Sequence, residues 1–191
     1  MSANSDQLLF QGTAPALVTP FTREDELDEE AFRDLIDWQI DQGAAALVVL
    51  GTTGENPTIS HEERRKLTEW SVEQADGRVS VIMGTGTYST RESVTFSREA
   101  EEVGVDGLLV VGPYYNKPTA EGMFAHTADI AGATDTPIVL YNVPSRTGSN
   151  ISAETVLRCA EEIPQVVGIK EASGDLAQVS DILDGRPDSL G

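Results

Sequence analysis

A chain of 191 residues with 32 acids against 13 bases carries a formal charge of -19. That balance excludes the basic surfaces that nucleic acid and anionic membranes require, so neither is expected as a partner. A hydrophobic share of 39% supports a packed core, while a single cysteine, Cys159, excludes an intrachain disulfide.

Residues 1–9 read as a polar N-terminal tail. Met1, Leu8 and Leu9 are its large apolar residues and the start is not basic, which is unlike a signal peptide. No apolar run approaches membrane length, and a soluble cytoplasmic protein is expected. From residue 10 onward the chain alternates short apolar runs with longer amphipathic ones. Buried strands are predicted at 14–19, 45–50, 79–83, 107–111, 137–141 and 166–170. Helices are predicted near 28–42, 61–76, 90–103, 119–132, 152–162 and 175–184. Asp28, Ser60, Ser89, Thr119 and Ser152 stand where N-caps belong, and Glu63 and Glu92 sit three residues after Ser60 and Ser89, the spacing of a capping box. Trp38 and Trp70 fall on helix faces and read as packing residues.

Strand–helix units repeating about every 30 residues imply a parallel sheet with right-handed crossovers. An open doubly wound sheet and a (β/α)8 barrel both fit. Nearly every predicted strand is followed directly by chemically distinctive residues, and a barrel gathers all such ends around one mouth. The expected fold class is therefore α/β, a (β/α)8 TIM barrel. Residues 10–191 supply about six of its βα units, so the chain is expected to be a fragment lacking the last two units and the C-terminal helices, with little activity when isolated.

Several of these strand ends could carry chemistry. Gly51-Thr52-Thr53-Gly54-Glu55 offers backbone amides and two hydroxyls suited to a carboxylate, although a tight turn reads the same way. Gly84-Thr85-Gly86 lacks the third glycine of a dinucleotide fingerprint and reads as a loop of small residues near the mouth. Tyr114, Tyr115 and Tyr141, three of the four tyrosines, stand at strand ends; a phenol oriented by a hydroxyl such as that of Thr52 can relay protons. Arg146 follows the fifth predicted strand, and its planar fork suits a substrate carboxylate or a surface ion pair. His61 and His126 fall on helices, share no metal-binding spacing and read as surface or capping residues. No metal site and no cofactor are expected.

Lys170 closes the apolar run Val166-Val167-Gly168-Ile169, and the chain has only two other lysines, Lys66 and Lys117. By the two-residue period it shares a face with Gly168 and Val166, and the glycine leaves room beside the amine. A free lysine amine has a pKa of about 10.4; an apolar surround favours the neutral amine that attacks a carbonyl carbon. The alternative is a lysine whose head reaches solvent at a strand end.

Taken together, GTTGE, PYYN, YNVPSRTG and GIKEASG, in this order over residues from about 10 to 191, closely resemble the dihydrodipicolinate synthase / N-acetylneuraminate lyase family of pyruvate aldolases. The resemblance implies condensation of pyruvate with aspartate semialdehyde to 4-hydroxy-tetrahydrodipicolinate, in lysine and diaminopimelate biosynthesis, by a homo-oligomer (dimer or tetramer). It makes Lys170 the Schiff-base lysine and Tyr141 the general acid/base. Thr52 and Tyr115 become proton-relay partners, the tyrosine typically lent by a neighbouring subunit. Thr53 would hold the pyruvate carboxylate and Arg146 that of the semialdehyde. The serine-arginine pair in YNVPSRTG favours the synthase over relatives that act on 2-keto-3-deoxy sugar acids or N-acetylneuraminate. A non-catalytic effector-binding α/β domain is the alternative of another class. Lysine-inhibited members carry asparagine where this chain has Tyr88 and often histidine where it has Arg64, so lysine feedback is not expected, although His61 and Glu92 match.

Overall fold

The computed structural model describes residues 8–191; most of the predicted polar tail lies outside the described residues. Five parallel strands form one sheet in sequential order: β1 (Ala46–Val49), β2 (Ser80–Gly84), β3 (Gly107–Val111), β4 (Ile138–Asn142) and β5 (Val166–Glu171). The crossovers are α1 (Glu29–Asp41), α2 (His61–Ala75), α3 (Thr90–Val103), α4 (Ala120–Ala131), the one-turn α5 (Pro144–Thr147), α6 (Ala153–Glu162) and α7 (Leu176–Gly185). Both α5 and a 3-10 turn at Asn56–Thr58 are absent from the sequence prediction. Each opens on a proline near its first position, where the missing N–H costs nothing.

The five predicted N-caps all cap. The side-chain oxygens of Asp28, Ser60, Ser89, Thr119 and Ser152 accept from a backbone N–H in the first turn of α1, α2, α3, α4 and α6. At Ser60 the box is reciprocal, with Glu63 accepting from the Ser60 N–H at 2.8 Å. At Ser89 only the serine half forms.

Alternation along the strands splits the core in two. Leu47, Val49, Met83, Leu108, Val110, Ile138 and Leu140 face the helices and pack with Phe32, Ile36, Leu67, Ile130 and Val156. Ala46, Val48, Ile82, Leu109 and Tyr141 face the other way, into the concave side. Helices on one face and a second apolar layer on the other are the arrangement of a TIM barrel; the sheet does not close among the described residues.

Four expectations change. The predicted strand at 14–19 is reduced to a single parallel bridge, Ala16 to Val48, held by Leu17 N–H to Val48 O and Val48 N–H to Pro15 O, both 2.9 Å. Pro15 and Pro20 cannot donate to a ladder, and they bracket the segment. Val166 does not share a face with Lys170. A register shift pairs Ile138 with Val166 but Val139 with Gly168, which leaves Val167 as an extra residue and turns Val166 toward the helices. Trp38 is 56% exposed rather than packed, whereas Trp70 lies half-buried against Phe32. His126 is buried, with Nδ1 against the Thr90 hydroxyl at 2.8 Å and Nε2 without a partner. Burial pushes its pKa down to about 4, so the ring is neutral near pH 7.

Candidate active site

Parallel register places the chemistry. Tyr141 on β4 pairs directly with Lys170 on β5, and Asn142 pairs with Glu171. The half-buried Lys170 side chain folds over its neighbour, with Nζ 4.7 Å from the centroid of the Tyr141 ring, within cation–π range. The Tyr141 hydroxyl lies 3.4 Å from Thr52 Oγ1. That contact is longer than an ordinary O–H···O bond.

The hydroxyl faces a cavity of about 290 Å³ at the C-terminal ends of the strands. Leu109, Val111 and Val143 give it apolar walls, and Thr52, Tyr114, Tyr141 and Arg146 bring polar groups to it. Arg146 rides on α5, is exposed, and makes no ion pair among the described residues. An apolar cleft with a few convergent polar groups is what a small-ligand site requires.

Two glycines make room for it. A Cβ on Gly84 would fall 2.0 Å from Leu50 O, and one on Gly86 would fall 2.4 Å from Val111 N. The Gly84-Thr85-Gly86 loop is thus a point of backbone crossing, and both glycines line the cavity. Thr52 follows Leu50, whose φ of +54° starts the turn. The turn is anchored by Thr19 Oγ1 donating to Gly54 O at 2.8 Å.

Of the expected site residues, Tyr141, Thr52 and Arg146 line the cavity. Lys170 is not among the lining residues and joins the group through its contact with the Tyr141 ring. Thr53 is exposed and lies outside the cavity lining. Tyr115 is 89% exposed, with a left-handed φ of +66° that turns it outward, and it does not meet Tyr141 within this chain. Its neighbour Tyr114 takes the inward place and stacks edge-on against Tyr88 at 5.3 Å. Burial pushes the Tyr114 phenol up.

Sequence reading missed a polar network behind the site. The Glu171 carboxylate accepts from Asn142 Nδ2 at 2.9 and 3.2 Å, Gln178 Nε2 at 2.9 Å and Ser173 N at 2.7 Å. Burial pulls its pKa up, but these hydrogen bonds prevail and hold the carboxyl below its ordinary range. Their partners come from β4, the turn after β5, and α7; only the adjacency of Glu171 to Lys170 and of Asn142 to Tyr141 signalled it in the sequence.

A second cavity, about 400 Å³, takes in Tyr88, His61, Glu92 and Arg64. Arg64 is 4% exposed, donates to Gly84 O at 2.7 Å and to Asn56, and lies over the Phe96 ring at 4.1 Å. Burial lowers its pKa to about 10, which leaves it charged at neutral pH. Among the described residues no three His, Cys, Asp or Glu side chains gather as metal ligands would.

The family model for the dihydrodipicolinate synthetase family matches residues 9–190. The chain belongs to that family. A 4-hydroxy-tetrahydrodipicolinate synthase of Salinibacter ruber is 61% identical over 96% of this chain and 61% of its own length. One from Nitratidesulfovibrio vulgaris is 52% identical over 92% of this chain and 60% of its own. The crystal structure of dihydrodipicolinate synthase from Aquifex aeolicus superposes with a TM-score of 0.92 at 44% identity, over 95% of this chain and 62% of that one. The fold is thus the family's TIM barrel, and the chain spans about 61% of the length of the curated relatives it matches. The strand order, the cavity at the strand ends and the Lys170–Tyr141 pair all belong to a member of the dihydrodipicolinate synthetase family.

Proposed function

We propose that the protein is a Schiff-base pyruvate aldolase that condenses pyruvate with L-aspartate 4-semialdehyde to 4-hydroxy-tetrahydrodipicolinate. The observation that carries this reading is the Lys170 amine standing over the Tyr141 ring, which lines a cavity that also takes in Arg146.

The Lys170 amine adds to the C2 carbonyl of pyruvate, and loss of water gives the imine. Removal of a C3 proton, relayed through the Tyr141 hydroxyl with Thr52 as partner, gives the enamine. The enamine carbon attacks the aldehyde carbon of the second substrate, whose carboxylate pairs with Arg146. The new alkoxide takes a proton from Tyr141. The substrate amine then attacks C2 and displaces Lys170, which closes the ring and frees the enzyme.

Thr53 is assigned to the pyruvate carboxylate on the family motif, with its position beside the Gly54 turn in support. Tyr115 is assigned to the proton relay of a neighbouring subunit; its outward phenol supports that role, and with it a homo-oligomer. The charged Arg64 and the bulky Tyr88 in the second cavity support the absence of lysine feedback, because a guanidinium repels a lysine ammonium. A cytoplasmic location suits the free, buried Cys159, and no helix of the described residues is long and apolar enough to cross a membrane.

Steady-state assays of the full protein test the substrate. Turnover of pyruvate with aspartate semialdehyde, and little with 2-keto-3-deoxygluconate, is expected. Turnover of the sugar acid alone would assign the chain to the sister aldolases instead.

A further inference from the structure

Asn142 is 1% exposed and uses its whole side chain. Its Nδ2 donates to Asn150 Oδ1 at 2.7 Å and to the Glu171 carboxylate, and its Oδ1 accepts from Ile151 N at 3.0 Å. The residue that opens the segment 142–151 therefore grips the two residues that end it. Between them the chain makes α5, turns at Gly148 with φ +75°, and presents Arg146 at the cavity rim.

An asparagine amide can flip. The orientation here is set by Glu171, whose carboxylate only accepts, together with the Ile151 N–H, which only donates. A flipped Asn142 would place its oxygen against that carboxylate and its amide nitrogen against the Ile151 N–H. Gln178 is oriented in the same way: Nε2 donates to Glu171, while Oε1 accepts from Asn150 Nδ2 at 2.7 Å. Among these side chains the carboxylate is the one that only accepts; the Ile151 carbonyl also accepts from Gln178 Nε2, at 3.3 Å. Glu171 follows Lys170 on β5, and alternation turns it away from the amine's face.

We propose that Glu171 is a positioning residue for the second substrate: acting through Asn142, its carboxylate closes the 142–151 segment and so fixes Arg146 at the mouth. This rests on the aldolase reading and on Arg146 binding the aldehyde's carboxylate. Replacing the carboxylate with an amide keeps one acceptor oxygen but sets an NH2 against two of these donors in either orientation, which loosens the segment without touching the Lys170–Tyr141 pair.

The test is Glu171→Gln in the full protein, with two readouts. The KM for aspartate semialdehyde is expected to rise about ten-fold or more, as misplacement of a clamp by a fraction of an ångström does. The KM for pyruvate and the rate of borohydride trapping at Lys170 are expected to stay within about two-fold, since they report groups the network does not hold. Glu171→Asp, which keeps the charge, is expected to recover part of the loss. If Glu171→Gln does not fold, Gln178→Met, which removes the Nε2 donor to Glu171 together with the Oε1 acceptor for Asn150 and keeps the stem, is expected to give the same split to a smaller degree. An unchanged aldehyde KM, or a parallel loss of pyruvate trapping, in the variant that folds would overturn the proposal. Failure of the unsubstituted protein to trap pyruvate would instead overturn the aldolase reading on which it rests.

Discussion

Tyr141 has two roles that can be separated. Its ring carries the Lys170 amine at 4.7 Å and its hydroxyl faces Thr52 and the cavity. Tyr141→Phe keeps the first and removes the second. The kcat is expected to fall by about 100- to 10,000-fold, the usual value of a positioned acid/base, while the thermal midpoint stays close to that of the parent protein. A midpoint that collapses along with the rate would mean that the hydroxyl is structural. Lys170, Tyr141 and Arg146 were legible in the sequence because each breaks a pattern, a polar group ending or following an apolar strand. Glu171 and Gln178 were not, because their meaning lies in hydrogen bonds assembled from three elements. His126 was misread as a surface or capping residue, and the burial of Arg64 was not anticipated. Each lies at helical spacing from buried residues, Met123 and Ile130 around the histidine and Leu67 and Thr68 after the arginine, and that periodicity was the available signal.

The five strands of the sheet and the six longer helices were predicted within a residue or two because their caps and apolar runs agree; the predicted strand at 14–19 was not. What escaped was the irregular backbone that aims the site: the bulge at Val167, the left-handed Leu50 and Tyr115, and the one-turn α5. None of these leaves a periodic trace. The crossing at Gly84 is the tightest of them. Gly84→Ala would drive a methyl to 2.0 Å from Leu50 O and 2.6 Å from its carbonyl carbon, both backbone atoms at the end of β1. The neighbouring backbone must shift to admit the methyl, so a loss of about 3 kcal/mol, the upper end of the usual cost of overpacking, is expected. Urea unfolding measures it; a variant as stable as the parent would show that Gly84 does not approach the Leu50 backbone as closely as described.

At the scale of the molecule, charge opposes compactness. The ion pairs of the described residues, such as Arg65–Glu69 and Lys66–Glu62, lie largely on exposed helix faces, where each contributes only about 0–1 kcal/mol. Against them stands a net charge of -19. Salt screens both, with a Debye length that shrinks from about 10 Å at 0.1 M to about 3 Å at 1 M, and the larger effect is relief of self-repulsion. The thermal midpoint is expected to rise between low salt and about 1 M KCl, against the usual loss of ion-pair stability. A midpoint that stays flat or falls would show that the acids are accommodated without screening.

The central claim is that the amine over the Tyr141 ring is a nucleophile toward pyruvate. It is tested most directly by incubating the full protein with pyruvate and borohydride and locating the adduct by peptide mass spectrometry. The account predicts one reduced pyruvate adduct, on Lys170 and on neither Lys66 nor Lys117, and none in Lys170→Ala. Absence of an adduct in a folded protein, or an adduct on another lysine, would contradict it.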